Sequence, residues 1–347
     1  MHMADALISP AVGGTMLAAT AGLIGYSSKK LKEKLDDKII PLMGVMGAFI
    51  FAGQMINFTI PGTGSSGHIG GGILLSIILG PYAAFLTIAS VLIIQAFFFA
   101  DGGLLALGCN IINLGLFPCF ICYPFIYKKI VAADVTRKRI FIGAIIAVII
   151  ALQMGAFSVV IETLASGISA LPFKTFVLLM QPIHLAIGLV EGIATAAVVM
   201  FIYNTQPELI TSPMIPGKAG TVSPMRKVFA GLIILTVVTG GIFSWFASTN
   251  PDGLEWSMFK TAGVEELESP DHGIHAKLSE FQKKTAFLPD YSFKAPENEQ
   301  QAEAEPVWPS INTGTSVSGM VGGVLTLLIV ILMGFILKRR KIVAADH

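Results

Sequence analysis

The chain has 347 residues, of which 54% are hydrophobic and only 13% charged, and its formal net charge is +1. A soluble domain carries about 25% charged residues, so this balance excludes a disordered chain, a collagen and an ordinary cytosolic enzyme, and it points to an all-α polytopic membrane protein. The near-zero net charge gives no reason to expect nucleic acid. The three cysteines, Cys109, Cys119 and Cys122, share one apolar stretch and form no secreted-type framework.

A spanning helix needs about 20 mostly apolar residues. In chain order such segments lie at 9–27, 39–58, 69–100, 104–127, 139–164, 173–204, 227–247 and 317–337. Gly80-Pro81 interrupts the third, because proline lacks an N–H and restricts the residue before it. Residues 69–100 are therefore expected to make two short helices in hairpin, both crossing the membrane, for nine spans in all.

Lys and Arg stay cytoplasmic, which sets orientation. Basic clusters mark residues 29–38, 128–139, 218–227 and 338–341. Placing all four inside puts the amino terminus, residues 59–68, residues 101–103 and the long segment 248–316 outside. Residues 1–28 contain no Lys or Arg, and a signal peptide wants a positive n-region. The first helix is thus expected to be retained, with Met1 kept because the large His2 follows it.

Three parts are expected: residues 1–205 as a compact seven-helix unit, residues 206–226 as a proline-rich cytoplasmic linker, and residues 227–347 as two helices flanking the outer segment 248–316. Within that segment, Ala295 to Pro309 is rich in Glu, Gln, Ala and Pro and is expected to be mobile.

Chemistry has three candidate seats. At Met1-His2, a free amine, the amide nitrogen of His2 and its Nδ1 can close a five- and a six-membered chelate ring on one metal. Square-planar nitrogen coordination suits Ni(II) or Cu(II), although a surface histidine is the commoner meaning of such a start. Second, residues 62–72, GTGSSGHIGGG, set His68 in an uncharged loop. This is either a flexible connector or a loop that folds inward and presents one imidazole. Both histidines fall on the same outer side. Third, Gln95, Asp101, Asn110, Glu162, His184 and Glu191 lie in or beside apolar segments. Such groups face the interior or a partner; they are read as support for the site or as a pathway, against ordinary helix–helix hydrogen bonding. His184 and Glu191, seven apart, share a helix face. Cys119-x-x-Cys122 reads as apolar packing. There is no G-x-x-x-x-G-K-[ST], so any energy from ATP must come through another subunit. Small residues recur on the first helix (Ala11, Thr15, Ala19 and Gly14, Ala18, Gly22) and on the second (Gly44, Ala48, Ala52), faces suited to close contact within the bundle or with a membrane partner.

The stretches MHMADALISP, GSSGHIGGG, IIQAFFFADGGLLALGCNIINLGL (93–116) and HLAIGLVEGIAT (184–195) resemble the substrate-binding membrane component of nickel/cobalt energy-coupling-factor transporters, the NikM/CbiM family. The resemblance runs through residues 1–205. It implies a seven-helix bundle that holds Ni²⁺ or Co²⁺ as transported substrate near the outer surface, on Met1, His2 and His68. The start departs from the family's Met-His-Ile-Pro-Asp-Gly at Met3, Ala4 and Ala6 but keeps His2 and Asp5, which leaves the ligands in place and the metal preference open. Residues 227–337, with PDGLE at 251–255 and LPDYSF at 288–293, look like the accessory module often fused to this component. The implied protein is no enzyme. It is a metal-capturing subunit of the cell membrane that works with a transmembrane scaffold (T) subunit and two cytoplasmic ATPase (A) subunits. The competing expectation is an autonomous secondary cation transporter or channel, with Asp101, Glu162, His184 and Glu191 as its path.

Overall fold

The computed structural model describes residues 2–34, 39–132, 134–211, 226–294, 308–309 and 311–343. It is mostly helical. A single 3₁₀ turn, Asp5–Leu7, leads into α1 (Pro10–Lys34), and α2 spans Ile39–Gln54. The first loop is no loose connector. It forms an antiparallel hairpin of β1 (Phe58–Ile60) and β2 (Ser65–Gly67), with Thr59 opposite Ser66, and its second strand is fully buried.

The break in residues 69–100 falls at Gly80-Pro81, between α3 (Gly72–Leu79) and α4 (Pro81–Ile94). The arms are unequal. Eight residues of α3 reach about 12 Å, less than half of a hydrocarbon core of about 30 Å. The strand and loop that lead into α3 are themselves largely buried in the bundle. Irregular backbone at such depth is tolerated only where protein covers it, and Ser65 to Gly67 and Gly70 to Gly72 are all buried. With eight residues, α3 is by itself shorter than the helical span expected here.

The next helix begins as α5 (Leu107–Ile111), widens to i→i+5 winding over Ile112–Tyr127 and ends as α6 (Lys128–Ala132). The wide stretch carries Pro118 and Pro124, whose rings and missing N–H groups disfavour the tighter helix. Long helices α7 (Arg137–Ser166) and α8 (Phe173–Thr205) pack against each other, and the short α9 (Pro207–Thr211) follows. Most of the expected linker, residues 212–225, and the stretch expected to be mobile, apart from Trp308-Pro309, lie outside the described residues.

In the last part, α10 (Arg226–Gly241) and α13 (Thr313–Val343) both lie along α2, with α11 (Gly253–Ala262) and α12 (Gly273–Thr285) between them in sequence. The two small-residue faces have different fates. That of α2 is covered, with Gly44 beside Leu327 and Ile331 of α13. That of α1 is uncovered among the described residues, where a Cβ on Gly14 or Gly22 would meet nothing within 4 Å. Among the described residues, five helical stretches are long and apolar enough to cross a membrane alone: 81–99, 107–132, 137–166, 173–205 and 313–338. Helices α2 and α10 have 16 residues each, so helix length by itself does not yield the nine spans expected.

The chain start, the hairpin, residues 100–106 and residues 248–294 all meet at one end of the bundle. Met3 is bonded to Asn110, Ser66 to Asn250, His275 to Ile8, and Gln282 to Gly102. At the other end Tyr26 stacks edge-on against Tyr82, near Lys30. A cysteine placed at the exposed Ser269 should therefore react with a membrane-impermeant maleimide added outside the cell. Labelling from the cytoplasmic side alone would reverse the orientation.

Candidate metal centre

His2 and His68 come from segments far apart in sequence, yet their imidazoles stack with ring centroids 5.0 Å apart and planes 25° from parallel. Their side chains are only 7% and 9% exposed. Two aromatic nitrogen bases in a dry pocket at the loop end of a membrane bundle are a donor set for a borderline-soft transition metal.

The chain start is fixed by its neighbours. Met3 N–H donates to Asn110 Oδ1 at 2.8 Å, and Asn110 Nδ2 donates back to the Met3 carbonyl. Asp5 Oδ1 accepts the N–H groups of Leu105 and Ala106 at 2.8 and 2.9 Å. The chain at Gly103 must lie flat against this carboxylate, since a Cβ there would sit 1.9 Å from Asp5 Oδ1. Asn110 and Asp5, both singled out from sequence, thus act by placing His2.

The His68 loop is fixed from two sides. Glu191 of α8 accepts the N–H groups of Gly70 and Gly71, both at 2.8 Å. Gln95 Nε2 donates to Gln54 Oε1, and Gln54 Nε2 donates to the Gly70 carbonyl. Glu191 and Gln95 therefore bear on the site through the loop. His184 shares the inner face of α8 with Glu191. Its Nδ1 donates to the Met180 carbonyl at 2.8 Å, and its ring lines a small cavity with His68 and Asp252. Glu162 lies apart and is bonded to Asn113 and Ser158. Met1 lies outside the described residues.

Asp101 meets His2 directly. Its Oδ1 is 2.7 Å from His2 Nδ1, and its Oδ2 accepts the Tyr291 hydroxyl. Burial opposes charge on Asp101, but the adjacent His2 ring and Tyr291 outweigh it and bring the carboxyl to about 2. This pairing takes the nitrogen that a terminal chelate would use, while His2 Nε2 has no partner among the described residues. A carboxylate beside an imidazole attracts its N–H; a half-turn of the ring about Cβ–Cγ turns Nδ1 away from Asp101. Burial pushes the His68 imidazole down to about 3, so the ring is neutral at physiological pH.

Sequence reasoning overlooked the contribution of the last part. Asp252 Oδ2 lies 3.9 Å from His68 Nε2. Trp256 Nε1 donates to the Thr63 carbonyl at 3.0 Å, Gln282 Nε2 to the carbonyls of Ala96 and Gly102, and Tyr291 to Asp101. The signal was present in PDGLE and LPDYSF. An Asp opening a helix reads as a cap, however, and that local duty hides any other.

Residues 2–209 match the family described as the cobalt uptake substrate-specific transmembrane region, and residues 226–339 match the PDGLE domain. A putative fused nickel transport protein NikMN of Archaeoglobus fulgidus is 32% identical over 98% of both chains. The fused nickel transport protein NikMN of Rhodobacter capsulatus is 30% identical over 69% of this chain and 71% of its own. A crystal structure of a transition metal transporter, 28% identical, superposes over 63% of this chain and all of its own with a TM-score of 0.54.

Two outcomes follow for these residues. Glu191→Ala orphans two buried N–H groups, at about 1–3 kcal/mol each, so it should lower the melting temperature; Glu191→Gln, which keeps one acceptor, should lower it less. His68 has a depressed folded-state pKa. Between pH 6.5 and about 3 the unfolded chain binds a proton that the folded one does not, and stability falls as pH drops through that window. Wild type should lose more stability than His68→Gln between pH 7.5 and 5 in a thermal melt.

Proposed function

Because the chain belongs to the CbiM family of cobalt uptake substrate-specific transmembrane proteins and continues into a PDGLE domain, we propose that it captures Ni²⁺ or Co²⁺ outside the cell for ATP-driven uptake as the substrate-binding component of an energy-coupling-factor transporter. The observation that carries this reading is the buried, stacked pair His2 and His68. In the proposed site the Met1 amine, the His2 amide nitrogen and imidazole, and the His68 imidazole supply four nitrogens. The chain start is held firmly enough for this through Asn110 and Asp5, and the loop through Glu191.

The work divides among three parts: residues 1–205 bind the ion, residues 206–226 link, and residues 227–347 serve as the accessory module. The amino terminus faces outward and the carboxy terminus inward. A transmembrane scaffold subunit and two cytoplasmic ATPase subunits release the ion inward. The exposed small-residue face of α1 is open for a membrane partner to approach closely.

An autonomous cation path through Asp101, Glu162, His184 and Glu191 is the competing reading. Two of its carboxylates, Glu162 and Glu191, are taken up in hydrogen bonds that hold helices and loop in place, which favours capture over conduction. Metal uptake by this chain alone would reinstate that path.

The chelate needs a free amine at Met1. One residue added before Met1 converts the amine to an amide while leaving every side chain intact. An amino-terminal extension or His2→Ala should therefore abolish high-affinity nickel or cobalt binding in an equilibrium titration, while a tag after His347 should not. His68→Ala should weaken binding far more than His184→Ala. Unchanged affinity in the extended chain would dismiss the terminal chelate in favour of a side-chain site around His68.

A further inference from the structure

Tyr291 reaches Asp101 from a strained turn in LPDYSF. Asp290 and Tyr291 are consecutive residues with φ of 48° and 57°, in the left-handed region where a side chain crowds its own backbone. Such residues persist where the surroundings over-determine them, and they gather at functional sites. The turn is pinned just ahead of the strain: Leu288 N–H donates to the Phe98 carbonyl, and the Phe287 ring packs against Phe98 and Phe99. The Tyr291 ring then lies on Phe99, with centroids 5.2 Å apart and planes 23° from parallel, and meets Phe51 edge-on. Its hydroxyl is thereby set on Asp101 Oδ2.

Asp101 is also delivered by an uncommon turn. Ala100 has a φ of 56°, and Asp101 N–H donates back to the Gln95 carbonyl at 3.1 Å. Among the described residues its carboxylate has two side-chain partners, His2 Nδ1 on Oδ1 at 2.7 Å and the Tyr291 hydroxyl on Oδ2. The first partner is needed elsewhere. Capture through the chelate takes His2 Nδ1, so the ring must leave Asp101 for the ion to be held. A mostly buried carboxylate stripped of its donors is costly, and that cost would keep the ring in place. Tyr291 changes the balance. Its hydroxyl stays on Oδ2 when His2 turns, so Asp101 retains a charge-assisted hydrogen bond and remains an anion beside the bound cation.

We propose that Tyr291, supplied by the PDGLE domain, is a positioning residue of the capture site: by bonding Asp101 it releases the His2 imidazole for the ion and keeps a negative charge beside it. This rests on the metal-capture reading above. The domain then acts on the affinity of the site through one hydroxyl, without touching the ion.

The test uses the full chain beginning at Met1, with Ni²⁺ and Co²⁺ ions as probes, and compares Tyr291→Phe, Asp101→Ala and the double variant. Tyr291→Phe removes the hydroxyl and keeps the ring against Phe99 and Phe51. It should lower affinity for both ions by about 10–100-fold and shift the visible absorption of bound Co²⁺. In the Asp101→Ala background the same substitution should change neither, because the group through which it acts is gone. If Phe impairs folding, judged by the melting temperature of the metal-free chain, Tyr291→Met supplies an adaptable apolar replacement for the same cycle. Wild-type affinity in the Phe or Met variant would overturn the proposal. So would losses that add in the double variant, which would leave Tyr291 as a support of the fold alone. Wild type that binds neither ion, or His68→Ala that binds as wild type does, would overturn the capture reading itself and this inference with it.

Discussion

Asp5, Glu191 and Asp252 each accept two backbone N–H groups, and the geometry of the loop end depends on these bonds. A charged acceptor on a backbone donor is among the stronger hydrogen bonds, and in a dry interior an unmade one is costly. Asp5 locks the chain start to residues 103–106. Glu191 locks the His68 loop to α8. Asp252 starts α11 against the same hairpin. Three segments with no sequence proximity are thereby held in mutual register, and two imidazoles meet where they converge.

The same constraint accounts for the loop that dips into the bundle. Exposed peptide groups cannot be left in hydrocarbon, so a partly non-helical crossing needs acceptors and donors from its surroundings. Glu191, Gln54 and the PDGLE carbonyls supply them. The glycines of the loop let the backbone come close to these partners, and the short α3 follows directly.

The PDGLE part is tied to the rest in two ways. Within the apolar layer, α10 and α13 lie along α2, using its small residues for close approach. At the loop end, Trp256, His275, Gln282 and Tyr291 reach across to backbone carbonyls and to Asp101. Helix packing of the first kind fixes where the outer segment emerges, and the polar contacts of the second kind fix how it lands. The small-residue face of α1 stays uncovered among the described residues.

The sequence by itself determined the membrane class, most helix positions, the break at Gly80-Pro81 and the pairing of His2 with His68 on one side. All of these follow from local apolarity, proline chemistry and the distribution of lysine and arginine, which are properties of short windows. It also marked Asp5, Asp101, Asn110 and Glu191 as costly groups needing partners, without naming those partners. Only the tertiary structure decided that α3 stops after eight residues, that Asp101 takes His2 Nδ1, and that Asp252 lies beside His68 and Tyr291 beside Asp101. Each of these depends on contacts between residues roughly a hundred or more positions apart, or on depth in the bundle, and no local pattern encodes either.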